Sequence, residues 1–279
     1  MPKTLVQDFA DWGAKSWAPV PVPLEFPVIA KAASSAEYEE LEFEGKHKVF
    51  TLSDEKELAQ LWQRLGEAGF RGQFLVQDLV PGGDAGMHSV TAYVDSSGKV
   101  TMLCSARVLL EEHTPSGLGN AAAMYTDALP EIAEPAREFL EAVGYRGFAH
   151  LDVKWDPRDG VFKFLELNPR IGRNNYHVTA AGLNPAEFVV RDLLHGESVP
   201  PRTSRDRVLY TVIPLALLSY YTTDPELKRK VRSLQRRGRV VRPLSNPVEH
   251  GLRRKAYVAA ASMNQVRKFL TNYPRPRSD

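Results

Sequence analysis

A single cysteine, Cys104, leaves this chain of 279 residues without the means to build a disulfide framework, and a reducing, cytoplasmic setting is the expectation. Cys104 lies inside the strand-like stretch KVTMLCSARVLL, where a small apolar thiol reads as core packing rather than a redox centre. Long apolar runs are scarce as well. The longest, Val212 to Leu218, falls far short of the roughly 20 residues that span a bilayer, so no membrane partner is expected. The opening MPKTLVQDFADWG carries no basic segment leading into an apolar one, so no removable signal is expected. No internal repeat is visible. His88 and His113 have no metal-ligand spacing, and the Gly117-x-Gly119 pair is too short to read as a phosphate loop.

What the chain does have is ordinary globular composition, with 43% hydrophobic and 25% charged residues, enough for one large domain or two lobes. The net charge of +2 hides a division. Positions 200–279 hold 18 of the 36 Lys and Arg but 5 of the 34 Asp and Glu, a balance of +13 that leaves −11 for positions 1–199. A basic segment can bind nucleic acid, but here the charges interleave with the apolar runs VLYTVIPLALL and AYVAAASM and no aromatic platform accompanies them. A folded basic subdomain with a solvated face is expected over residues 200–279, helical or mixed.

Four prolines in residues 1–24, with Pro27 just beyond, suggest a leader or linker. The strand-like FPVIAKA and KHKVFTL follow, then the amphipathic EKELAQLWQRLGEAG and the strand QFLVQDLV. A hairpin turning at Asp95 to Gly98, a helix over IAEPAREFLEAVG, and a second hairpin turning at Pro157 to Gly160 come next. This predicts an α+β core over about 25–199, with one lobe over about 25–80 and another over about 81–199.

The most informative stretch is HLDVKWDPRDGVFKFLELNPRIG. Residues two apart on a strand share a face, so Glu166 and Asn168 point the same way, and Asp152 on the paired strand joins them if the register allows. Acids gathered on an apolar sheet are costly unless compensated. A hard cation removes that cost, and Mg²⁺ favours a few carboxylate or amide oxygens together with nucleotide phosphates; Mn²⁺ suits the same donors. An exposed hairpin with solvated acids is the plainer alternative. Arg170 and Arg173, just beyond, can clamp a phosphate or a developing acyl phosphate in two-point geometry, or form structural ion pairs. Lys31 ends an apolar strand and precedes the small residues Ala-Ala-Ser-Ser-Ala, which permit close approach to phosphate; a merely solubilising strand-end lysine is the alternative. Asp78, beside Leu79 and Val80 and before Pro81-Gly82-Gly83, suits a hinge strand lining a flat base, with an edge-strand acid as the plainer alternative. His177 is read as a substrate contact or a helix-surface residue.

The ordered series FPVIAKA, FLVQDLVPGGD, SAR, LDVKWD and FLELNPRIG resembles the ATP-grasp superfamily over about Phe26 to His195. The resemblance implies two α+β lobes enclosing ATP. It assigns Lys31 to the nucleotide phosphates, Gln77, Asp78, Leu79 and Val80 to adenine, and Asp84 to the ribose. Asp152, Glu166 and Asn168 match the metal ligands, and Arg107 and Arg170 the basic groups near the triphosphate.

Two departures stand out. After Lys31 the chain reads SSAEYEELEFEGKHKVF rather than a plain glycine-rich flap, although Gly45, Lys46, His47 and Lys48 can supply a closing loop. This form resembles the carboxylate-amine ligase branch that includes D-aspartate ligase-like and carbamoyl-phosphate-synthase-like proteins. Only about 25 residues precede the first lysine strand, where family members carry a preceding α/β domain. The resemblance implies phosphorylation of a small-molecule carboxylate by ATP and attack by an amine. A nucleotide-binding module without turnover is the alternative, and a homo-oligomer or a missing N-terminal domain is the partner expectation.

Overall fold

The computed structural model describes residues 1–114, 117–245, 248–249 and 251–273. The α+β class expected from the sequence is what the chain shows, in two compact units, Met1–Pro81 and Gly82–Asp279.

The first unit contains β1 (Thr4–Asp8), β2 (Val28–Ala32), α1 (Ser35–Glu39), β3 (Phe50–Leu52), α2 (Glu55–Glu67) and β4 (Gln73–Asp78). Its sheet runs β1-β4-β2-β3, antiparallel throughout. Asp54 caps α2 by accepting from the Glu57 N–H at 2.8 Å. Leu58, Leu61, Trp62 and Leu65 recur at helical spacing and are buried against Phe74 and Val76 of β4.

The first 24 residues depart from the linker expectation. Thr4–Asp8 is an edge strand on β4, and Phe9 is fully buried within 5.4–5.7 Å of the rings of Trp12, Trp17, Trp62 and Phe70. Trp12 packs so closely on α2 that a Cβ at Gly66 would stand 1.9 Å from its ring. The proline spacing signalled the irregular stretch correctly, but the aromatic anchors before it hold the segment to the core.

The second unit contains β5 (Met87–Val94), β6 (Val100–Glu111), β7 (Ala121–Thr126), α3 (Pro130–Ala142), β8 (Gly147–Asp156), β9 (Val161–Asn168), α4 (Tyr176–Ala180) and α5 (Pro185–Val189). Then come β10 (Arg202–Thr203), β11 (Leu209–Thr211), α6 (Leu215–Tyr221), α7 (Pro225–Arg236), β12 (Val240–Val241) and α8 (Leu252–Asn272). The sheet runs β12-β11-β7-β6-β5-β8-β9 among the described residues. Its longest strand, β6, has room for β10 beside Met102 and Leu103 and for β7 beside Ala106 to Glu111.

Period-two alternation divides this sheet into two buried faces. Val90, Ala92, Leu103, Ala149, Leu151 and Val153 pack on Ile132, Ala133, Ala136 and Leu140 of α3. On the other face, Tyr93, Met102 and Cys104 meet Val178, Ala181, Leu183 and Phe188 of the α4–α5 region. Cys104 is fully buried there, and burial pushes its thiol up to about 12, which fits the packing role.

The described residues between 200 and 273 share a core with the strands before them rather than standing apart. Leu209, Leu218, Leu227, Val231, Leu234 and Phe269 share one core with Leu109, Leu110, Ala122 and Ala123 of β6 and β7. The stretch VLYTVIPLALLSYY supplies β11 and α6, so its apolar content is spent on the same sheet. No helix among the described residues is long and apolar enough to cross a membrane.

Candidate active site

The α4–α5 face of the sheet carries a block of polar side chains near the end of the β8–β9 hairpin. Register places Ser89, Asp152 and Glu166 in one row across β5, β8 and β9, and Thr91, His150 and Asn168 in the next. Asp152 and Glu166 are directly opposed, and the Asn168 amide nitrogen lies 3.5 Å from Asp152 Oδ2. His150 Nε2 lies 3.4 Å from Asp152 Oδ1.

A β-bulge creates this arrangement. The pair Asp152–Glu166 is followed by Val153–Phe164, so two residues of β9 advance while one of β8 does, and Leu165 falls between. Phe162 and Phe164 before the bulge and Leu167 after it all pack on the α3 side. In an unbroken strand Phe164, Glu166 and Asn168 would share a face. The extra residue lets apolar and polar side chains separate.

The donor set is two carboxylates and an amide, all hard oxygen ligands. Among the described residues no group of three or more His, Cys, Asp and Glu side chains could form a metal cage. A cation that takes part of its shell from phosphate oxygens and water, as Mg²⁺ does with a nucleotide, fits such an incomplete set.

Two further groups face the same region that sequence reading passed over. Burial pushes the Glu111 carboxyl up to about 7, and the negative charges of Asp84 and Asp152 add to the rise. Lys154, two residues beyond Asp152 on the same face, is lowered by burial, while Glu111 and Asp84 oppose that change. Neither stood out in the sequence because Glu111 closes an apolar run and Lys154 looks like a solvated strand residue.

His177 is buried rather than on a helix surface. Its Nδ1 bonds the Asn174 carbonyl at 2.7 Å, and burial lowers its pKa to about 4. Nδ1–H therefore donates and Nε2 keeps a lone pair, which has no hydrogen-bond partner among the described residues. Ser89 Oγ, in the row of Asp152, is likewise buried without a partner among them.

The other predicted residues divide. Arg170 is exposed just past β9, with Nη1 donating to the Ile171 carbonyl at 3.3 Å. Arg173 follows in the same loop, close enough to oppose the rise that burial imposes on the Tyr210 phenol, which reaches about 12. Arg107 pairs in register with His88 and Tyr125, on the α3 side of the sheet and away from Asp152, and its Nε donates to the Ala85 carbonyl at 2.9 Å. The strand parity invisible in S-A-R turns Ala106, not Arg107, toward the acids. The Asp84 side chain is 15% exposed, and its carboxylate receives the Tyr273 hydroxyl at 2.5 Å, the Glu111 N–H at 2.9 Å and His113 Nε2 at 3.1 Å. Burial alone would raise it, but these donors hold it below the usual carboxylate range. Tyr273, 189 residues away in sequence, had no local signal.

In the first unit, Lys31 and Gln77 lie on one face of β2 and β4 and Asp78 on the other. Gln77 is buried and donates to Thr4 Oγ1 at 2.9 Å, which commits its side chain to β1. Leu79 is half-buried and Val80 buried just beyond β4. The Lys46 ammonium donates to the Glu39 carbonyl at 2.9 Å and to that of Leu41, pinning the expected flap segment to the end of α1.

No family model matches the chain. A D-aspartate ligase of Enterococcus faecium (strain Aus0004) is 36% identical over 223 residues, covering 78% of this chain and 53% of that protein. The chain thus spans about half the length of the curated relative it matches. Solved structures that align with it include a phosphoribosylamine–glycine ligase of Thermotoga maritima, at 20% identity and a TM-score of 0.49 over 75% of this chain and 53% of that one. A biotin carboxylase of Campylobacter jejuni aligns at 17% identity and a TM-score of 0.44 over 63% and 38%. The chain belongs to the family of D-aspartate ligase, which it matches over 78% of its own length.

Proposed function

We propose that this chain carries the ATP-dependent activation step of a carboxylate-amine ligase. The observation that carries the reading is the opposed pair Asp152–Glu166 with Asn168 on the same face, in a chain homologous to a D-aspartate ligase. Asp152, Glu166 and Asn168 would hold Mg²⁺, or Mn²⁺ in its place, which when bound screens the phosphate charges of ATP. Arg170 would meet charge developing on the transferred phosphoryl group. Lys31 is the first unit's candidate for phosphate, and the chain from Gln77 to Val80 its candidate for adenine, through backbone groups. Arg107 drops out of the catalytic assignment, its Nε donating to the Ala85 carbonyl, and Asp84 out of the ribose assignment, its carboxylate receiving the Glu111 N–H and the Tyr273 hydroxyl. The functional division proposed is a nucleotide lobe over about 25–80 and a catalytic lobe over about 81–199, at work in the cytoplasm.

In this scheme a substrate carboxylate oxygen attacks the γ-phosphorus of ATP and the bond to ADP breaks. The amine then attacks the acyl carbon of the acyl phosphate, loses a proton, and displaces phosphate to leave an amide. The chain's residues position and neutralise, so no covalent nucleophile is required. The relation to a ligase disfavours a binding module without turnover, and D-aspartate is the first substrate to try. ADP release that requires both a carboxylic acid and an amine supports the reading. ATP binding with no ADP release across a panel of acids and amines, D-aspartate included, contradicts it.

A further inference from the structure

We infer that His150 is a positioning residue for Asp152, orienting the carboxylate that the proposed function assigns to the metal–nucleotide site. The inference rests on that assignment and adds a residue to it. His150 precedes Asp152 by two positions on β8, so the two side chains share a face, and Nε2 lies 3.4 Å from Asp152 Oδ1. On the far side of the ring, Nδ1 lies 3.2 Å from the hydroxyl of Thr91, a fully buried residue and the register partner of His150 on β5. The Thr91 hydroxyl is able to donate to Nδ1, and in that tautomer the proton sits on Nε2, where it faces Asp152. Asn168, the register partner of His150 on β9, approaches the other oxygen, Oδ2, at 3.5 Å. Asp152 thus has the His150 ring nitrogen beside Oδ1 and the Asn168 amide beside Oδ2.

Two features make this more than a chance neighbour. The imidazole is held from above by the loop that carries Arg170 and Arg173. A Cβ at Gly172 would stand 2.6 Å from His150 Nδ1 and 2.8 Å from Cε1, so the backbone rests on the ring and a side chain at 172 would displace it. The group beside Asp152 is also an imidazole rather than a lysine or an arginine. A lysine or arginine there would cancel the carboxylate's charge and compete with a cation, whereas a neutral N–H fixes the carboxylate's orientation and leaves that charge available. The row Thr91–His150–Asn168 therefore supports the row Ser89–Asp152–Glu166.

The test compares ATP binding by calorimetry, with Mg²⁺ and with EDTA, for the wild type, His150→Gln and His150→Ala, alongside ¹⁵N NMR of the histidine rings in the metal-free protein. The gain in affinity on adding Mg²⁺ should shrink about tenfold in His150→Ala with the EDTA affinity unchanged. His150→Gln, whose amide can still donate to Asp152, should stay within about threefold of wild type, and the His150 resonances should report the Nε2–H tautomer. An undiminished Mg²⁺ gain in His150→Ala, or an Nδ1–H tautomer, overturns the inference while leaving the metal site standing. A wild type with no Mg²⁺ gain overturns the metal assignment itself, and the inference with it.

Discussion

Asp152 on β8 and Glu166 on β9 stand opposite each other because Leu165, the extra residue of a β-bulge, shifts the parity of β9 between Phe164 and Glu166. The bulge lets a short sequence, FKFLELN, send its aromatics into the α3 core and its acid and amide to the opposite face. Bulges recur next to active sites because they re-aim side chains without breaking the sheet. Here one residue separates a hydrophobic anchor from the proposed metal ligands.

Deleting Leu165 should therefore be far worse than truncating it. Without the bulge, either Glu166 and Asn168 turn into the α3 core or Phe162 and Phe164 turn out of it. Each costs about 3 kcal/mol or more. Leu165→Ala keeps the spacing and should cost about half that or less. Denaturant unfolding of the two variants checks this, and a deletion within about 1 kcal/mol of wild type would contradict the role given to the bulge.

The first strand makes a second prediction. Phe9 is fully buried among four aromatic rings, so Phe9→Ala should destabilise the first unit by about 3–5 kcal/mol. Truncating Lys15, an exposed residue of the same segment, should change stability by less than about 0.5 kcal/mol. Equal effects would mean the leader is a linker after all.

Glu111 makes a prediction about pH. Its carboxyl is raised from the ordinary 4.5 to about 7 by burial, with Asp84 and Asp152 adding to the rise. Between those values the folded chain binds more protons than the unfolded one, so this group's contribution to stability falls as pH rises from about 4.5 through 7. Glu111→Gln mimics the protonated form. It should stabilise the protein by about 1–3 kcal/mol at pH 8 and change little at pH 4.5. Thermal unfolding across that range is the check, and a variant no more stable than wild type at pH 8 would show that Glu111 does not carry an unfavourable charge.

Much of this was legible beforehand, and the parts that were not share a cause. Helix α2 announced itself through the amphipathic spacing of EKELAQLWQRLGEAG, and both hairpins through their turn residues. Glu166 and Asn168 could be placed on one face from spacing alone. Whether Asp152 faced them depended on register, which no local pattern encodes. The resemblance gave Arg107 to the triphosphate, but one step of strand parity turns it to the face opposite Asp152. Asp84 looked available until Tyr273 and His113 met it from distant segments. His150 and Gly172, 22 positions apart, form a contact visible only when the loop folds back over the sheet.

The most direct test of the proposed site is Mg²⁺-dependent ATP binding, measured by calorimetry on the wild type and on Glu166→Ala. Glu166 is exposed on β9, so its truncation should leave the fold intact, which circular dichroism can verify. The account predicts that Mg²⁺ tightens ATP binding by the wild type and that Glu166→Ala loses most of that gain while binding ATP in EDTA as before. An equal Mg²⁺ gain in the two proteins would contradict the assignment of the nucleotide-bound cation to the β8–β9 hairpin.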